Sequence, residues 1–219
     1  MKKLEEKIIK ALMIFASATI LMVLLYILFI IISKGLPSLT WDMVLKNPSG
    51  GFYLGKEGGI LNAIIGSVML IIGSVLISMS ISLPVVLYIN FIRKKDSAFS
   101  DVVRFASDIL FGIPSIVYGA FGFMVMIYFG LQASLLGGII AVSLLIIPIM
   151  TRSIDEVAGS VSQDLIEATK ALGATRYETL KVIVRQLSPG ITTAILLSVG
   201  RGIGDAATVL FTAGYTDGI

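Results

Sequence analysis

The chain has 219 residues, 56% of them hydrophobic and only 14% charged, with a mean hydropathy of +0.97; soluble domains carry about 25% charged residues, so this is a membrane protein. It has no cysteine and no histidine, which excludes disulfides, thiolate chemistry, a Ser-His-Asp triad, an H-E-x-x-H zinc site and a histidine proton relay. No catalytic residue, metal site or cofactor is expected, and the net charge of +3 has to be read from where Lys and Arg fall along the chain.

About 20 apolar residues cross a bilayer core, so the chain is read in spans. The first, 11–32, follows Lys2, Lys3, Lys7 and Lys10. It is longer than the roughly 7–15 residues of a signal-peptide core and is read as an uncleaved helix. Residues 32–59 are rich in Gly, Pro, Ser and Asn and hold the only Trp, Trp41, which suits a loop with an interfacial anchor. The second span, 59–83, is interrupted by Pro84, and the charged loop "INFIRKKDSAFSDVVR" follows. A third span, 109–129, contains Gly112, Pro114, Gly119 and Gly122. Such residues are ordinary in membrane helices, or they mark a broken helix beside a path. The turn "GLQAS" leads into a fourth span, 133–150; the polar stretch 155–189 and a fifth span, 191–213, complete the reading.

This arrangement puts Lys2, Lys3, Lys7, Lys10, Arg93, Lys94, Lys95, Arg104, Arg152, Lys170, Arg176, Lys181 and Arg185 on one side and Lys34, Lys46 and Lys56 on the other, with Arg201 inside a span. The basic side faces the cytoplasm. The N-terminus is then cytoplasmic, and the net charge reports topology rather than a nucleic-acid partner. In the outer loop, Gly50, Gly55 and Lys56 have P-loop spacing, but Glu57 stands where a Ser or Thr must hold Mg²⁺. If ATP drives this protein, another chain binds it.

Within the cytoplasmic stretch, Ser160 with Gln163 and Thr175 with Glu178 have capping-box spacing, and Gly173 stands where a helix ends in a left-handed residue. The pattern predicts helix, glycine turn, helix. Leu165, Ala168 and Leu172 would line one face of the first helix, and Tyr177, Leu180, Val184 and Leu187 one face of the second. A DNA-binding helix-turn-helix is excluded by charge, because four basic residues between Asp155 and Ser188 face five acidic ones. Two interfacial helices that merely link spans fit the pattern, and so does a docking site for a partner.

Glu167, Ala168 and Gly173, followed by "ATRYETLKVIV" and "SPGI", resemble the EAA loop of bacterial and archaeal ABC-importer permeases. The resemblance implies an all-α membrane bundle of the type I importer class, in which Glu167, Ala168, Gly173 and Ala174 belong to coupling helices that seat in a cytoplasmic ATPase. Thr169 replaces the second Ala of the pattern, and Arg185-Gln186 replace its Leu-Pro, with a proline displaced to Pro189. Further, "ILFGIPSIVYGAFGF" and "GRGIGDAATVLFTAG" are similar to phosphate-importer permeases, the second more to the PstA type than the PstC type. That resemblance covers about Gly59 to the end. It implies an ATPase dimer (PstB-like), a sister permease (PstC-like) and an extracytoplasmic phosphate-binding protein (PstS-like) as partners, besides membrane lipid. The family has six spans against the five read here, and its Arg-x-x-Gly-Glu appears as Arg201, Gly204 and Asp205.

A charge at mid-bilayer costs about 2.5–3.5 kcal/mol on insertion scales, so Arg201 needs a reason. At i and i+4 on one helix, Arg201 and Asp205 could neutralise each other while Gly200 and Gly204 let a neighbouring helix approach. Alternatively Arg201 offers its planar fork of donors to a passing oxyanion and Asp205 orients it when the path is empty. Arg201, Gly204 and Asp205 are therefore the candidate substrate pathway. Sulfate or molybdate would suit the same chemistry. An ion-coupled secondary transporter would need more membrane carboxylates than Asp108 and Asp205, and a purely structural anchor would require that Arg201 be replaceable.

Overall fold

A computed structural model of the chain describes residues 2–49, 57–93 and 97–214; the P-loop-like positions Gly50, Gly55 and Lys56, and the basic residues Lys94 and Lys95, lie outside them. The chain divides into two units, Met1–Leu61 and Asn62–Ile219. In the first, α1 (Lys2–Gly35) exceeds the expected span at both ends and exposes its apolar side chains, as a helix does whose solvent is lipid. Pro37 lies within a short 3₁₀ turn, Leu36–Ser38, and Thr40 caps α2 (Trp41–Leu45) by accepting a hydrogen bond from the Met43 amide. Two-residue strands β1 (Pro48–Ser49) and β2 (Glu57–Gly58) pair antiparallel, with Pro48 opposite Gly58 and Ser49 opposite Glu57.

The second unit is a helical bundle built around α6. Its helices are α3 (Leu61–Leu87), which ends in a π turn (Tyr88–Ile92), α4 (Ala98–Gly112), α5 (Ser115–Tyr128), α6 (Leu135–Ala158), α7 (Gln163–Ala171), α8 (Arg176–Ile203) and α9 (Ala206–Thr212). Val142, Ile146, Met150 and Ile154 of α6 are fully buried against Ile183, Leu187 and Ala194 of α8 and Val86 of α3. Helices α1, α3, α6 and α8 are each long and apolar enough to cross a membrane, and the bent pair α4–α5 makes a fifth candidate.

Prolines interrupt these helices less than expected. Pro84 lies inside α3 and Pro148 inside α6. Pro189 lies inside α8, so the second helix expected in the polar stretch and the start of the fifth span form one rod. A proline leaves the carbonyl four residues earlier without its helical donor; here the Ser188 hydroxyl donates to the Arg185 carbonyl at 2.8 Å.

Helices α3 and α6 run parallel in a fixed register. The hydroxyls of Ser74, Ser78 and Ser82 donate to the carbonyls of Ile139, Ser143 and Ile147, a constant offset of 65 residues. All three serines are fully buried. Small residues at every fourth position bring two membrane helices close, and each hydroxyl finds an acceptor in the partner backbone.

Candidate functional site

The fifth span is not a single helix. Helix α8 stops at Ile203, Gly204 is its C-cap, and Asp205 is the N-cap of α9. The Asp205 carboxylate accepts hydrogen bonds from the Ala207 and Thr208 amides at 3.1 and 3.4 Å. Thr208 Oγ1 lies 2.8 Å from Asp205 Oδ2 and 3.1 Å from the Ser115 carbonyl oxygen, so its one proton is shared between two acceptors. The expected Arg201–Asp205 pair is therefore absent from the ion pairs of the described residues. Once the helix breaks, the two residues no longer share a face. Each charge instead meets a helix end of opposite polarity: Arg201 sits in the last turn of α8 and Asp205 opens α9.

The expected close approach at Gly200 and Gly204 also moves. No other element lies near either glycine; a Cβ on Gly202, by contrast, would meet Ile71 Cδ1 at 2.7 Å and Ile146 Cδ1 at 3.2 Å. That contact sets the break beside the middle of α6. Ile146 is about 17 Å along α6 from Leu135, near the middle of a hydrocarbon core about 30 Å thick. Arg201, the preceding residue, is exposed on the outside of the bundle.

A second break lies beside the first. Helices α4 and α5 meet at 99° around Ile113 and Pro114, the broken-helix reading of that span. The Tyr118 hydroxyl ties across the bend to the Leu110 carbonyl at 2.8 Å. Gly119 allows α9 to lie on α5, since a Cβ there would come within 2.9 Å of the Ala207 oxygen and of Thr208 Cα. Thr208 and Thr212 are fully buried in this contact, and sequence reasoning passed over both, although a threonine at every fourth position is the signal for it.

At the other end of α8, Thr175 and Glu178 form the expected capping box. The cap of α7 is Ser162 rather than Ser160; Ser162 Oγ accepts from the Leu165 amide, and the Ser160 hydroxyl bonds back to the Val157 carbonyl. Gly173 has φ +79°. Its amide donates to Lys170 O at 3.0 Å and the Ala174 amide to Thr169 O at 3.2 Å, a Schellman turn. Thr169, the departure from the family pattern, turns its hydroxyl to the Ile166 carbonyl.

The apolar faces differ from expectation. Leu165 is half-buried with Ile166 and Thr169, while Ala168 is exposed, as are Leu172 at 88% and Tyr177 at 77%. Thr179, Ile183 and Leu187 are the buried stripe of α8, with Leu180 and Val184 packed beside it. Glu167, Ala168 and Gly173 are open to a partner, and Ala174 is half-buried. From Arg176 to Arg201 is about 38 Å along α8, so the two groups of candidate residues stand at opposite ends of one helix.

Residues 82–218 match the family described as the binding-protein-dependent transport system inner membrane component. This chain belongs to that family. It is an integral membrane protein of a transport-permease family, with an all-α fold resembling the type I ABC-importer permeases. It is 35% identical over 213 residues to the phosphate transport system permease protein PstA of Pasteurella multocida, covering 97% of this chain and 75% of that protein. It is 31% identical to PstA 2 of Mycobacterium bovis, covering 88% of this chain and 62% of that protein. The chain thus spans from under two thirds to three quarters of these relatives' length. A solved structure of the inward-facing MetNI methionine ABC transporter has a similar fold, with a TM-score of 0.63 at 20% identity, covering 71% of this chain and 75% of that chain.

Proposed function

We propose that this permease is the PstA-like translocation subunit of an ABC importer for inorganic phosphate. In this reading it works beside a PstC-like sister permease. A PstB-like ATPase dimer docks on the α7–α8 turn through Glu167, Ala168, Gly173 and Ala174. A PstS-like binding protein delivers the anion on the extracytoplasmic side, opposite a cytoplasmic N-terminus. ATP hydrolysis falls to the partner.

The observation that carries the reading is Arg201. Its guanidinium is exposed at mid-depth, beside two broken helices, and makes no ion pair among the described residues. A charge facing lipid there costs about 2.5–3.5 kcal/mol or more, so this face suits a polypeptide neighbour or a water-filled path. The planar fork of donors fits two oxygens of a tetrahedral anion, and the names of the PstA relatives supply the class of anion. Gly204 keeps the break free of side chain at that level, and Asp205 holds α9 in place.

The test is uptake of labelled phosphate in cells lacking other uptake systems. Arg201→Gln should assemble but lose at least about tenfold in uptake, and Arg201→Lys should recover little of it, because a flexible point charge cannot reproduce the bidentate fork. Uptake at the unaltered rate in Arg201→Gln would leave Arg201 a structural residue and overturn the reading.

A further inference from the structure

Three elements meet at the cytoplasmic end of the bundle in a closed polar ring. Arg104 of α4 donates from Nε to Asp155 Oδ2 at 3.0 Å and from Nη2 to the Asn90 side-chain oxygen Oδ1 at 3.1 Å. The Asn90 amide in turn donates to Asp155 Oδ1 at 2.6 Å. Asn90 stands in the π turn that ends α3, and this one amide orientation serves a donor and an acceptor at once. The Asp155 side chain is only 10% exposed and that of Arg104 26%, so the ring is sheltered from the screening that makes surface pairs weak. One turn further along α4, Asp108 lies 3.5 Å from Arg152 of α6 with both side chains half exposed, adding a weaker rung of opposite sense.

The place of the ring gives it a use. On one side, α6 passes from Asp155 into the α7–α8 turn; on the other, α4 runs about 12 Å from Arg104 to the 99° bend, where Ser115 O meets Thr208 beside the Asp205 cap. We propose that the Asn90–Arg104–Asp155 ring is a clamp that makes α4 and the lower end of α6 move as one body, delivering displacement of the α7–α8 turn to the α4–α5 break. The inference rests on the coupling role given above to that turn. Arg104 and Asp155 are positioning residues; neither touches the transported anion.

The clamp is tested in the whole importer, assembled with its ATPase and binding protein in proteoliposomes. In Arg104→Gln, stimulated ATP hydrolysis should persist while phosphate moved per ATP falls about tenfold, the scale expected for breaking one coupled polar network. Exchanging the pair, Arg104→Asp with Asp155→Arg, should restore much of the ratio, because the Asn90 amide can turn over to serve the exchanged partners. An unchanged ratio in Arg104→Gln, or a loss that the exchange does not recover, overturns the clamp. A second measurement needs no change to the ring. The chain has no native cysteine, so spin labels on Val102→Cys and Glu156→Cys, both exposed positions, report the α4–α6 separation alone. A separation that stays constant between nucleotide-free and ATP-trapped complexes supports the clamp, and one that changes overturns it. Hydrolysis that no phosphate-loaded binding protein stimulates would count against the phosphate reading, and the spin-label separation then decides the clamp.

Discussion

Arg201 and Asp205 stand four positions apart, and periodicity alone makes them a pair; the structure gives each to a different helix end. What sequence could not show was that Gly204 interrupts the helix, since Gly-Asp within an apolar run reads equally well as continuous. The distinction has a measurable consequence. As an N-cap, Asp205 is replaceable by Asn, which caps as well, while Asp205→Ala should cost about 1–2 kcal/mol, read as a lower Tm of the detergent-purified protein. Were Asp205 chiefly a counter-ion, Asn and Ala would be equally damaging. A similar displacement of two residues separates Ser160 from the true cap Ser162: both lie in "GSVSQ", and only backbone direction decides between them.

At the scale of elements, the Gly173 turn was legible because a helix that must reverse needs a residue at positive φ, and a glycine flanked by capping signals announces it. Gly173→Ala should cost about 1–2 kcal/mol and lower stimulated ATP hydrolysis, with Gly173→Asn milder, since Asn visits that conformation more readily. The packing between helices was less legible, because hydrophobicity does not distinguish a lipid-facing residue from a buried one. Gly119→Ala would press a Cβ onto the backbone of α9 and should cost about 1–3 kcal/mol, visible as a drop in Tm. In the serine stripe, Ser78→Ala should cost only about 0.6 kcal/mol, whereas Ser78→Leu has no space and should prevent stable assembly, as monitored by gel filtration in detergent.

For the whole molecule, the division of Lys and Arg between the two ends of the spans predicts that Ser49→Cys reacts with an impermeant reagent from outside intact cells and Ser162→Cys does not. The opposite labelling would invert the chain and take the α7–α8 turn away from any cytoplasmic ATPase. Fold class and the number of candidate spans followed from composition and apolar runs, because the bilayer permits few solutions. The ring of Asn90, Arg104 and Asp155 could not be read in this way. Its members come from three elements far apart in sequence, and the π turn that aims Asn90 leaves no mark in the pattern of hydrophobic residues.

The continuity of α8 through Pro189 turns it into a lever. With its fulcrum near the Gly173 turn, a tilt of about 5° over the roughly 38 Å to Arg201 sweeps that guanidinium by about 3 Å, the length of one hydrogen bond. If Arg201 meets the anion as proposed above, so small an angular change would be enough to engage or release it at the tip. The Ser188 hydroxyl on the Arg185 carbonyl supplies the donor that the proline withholds, so the shaft carries no open acceptor at that point.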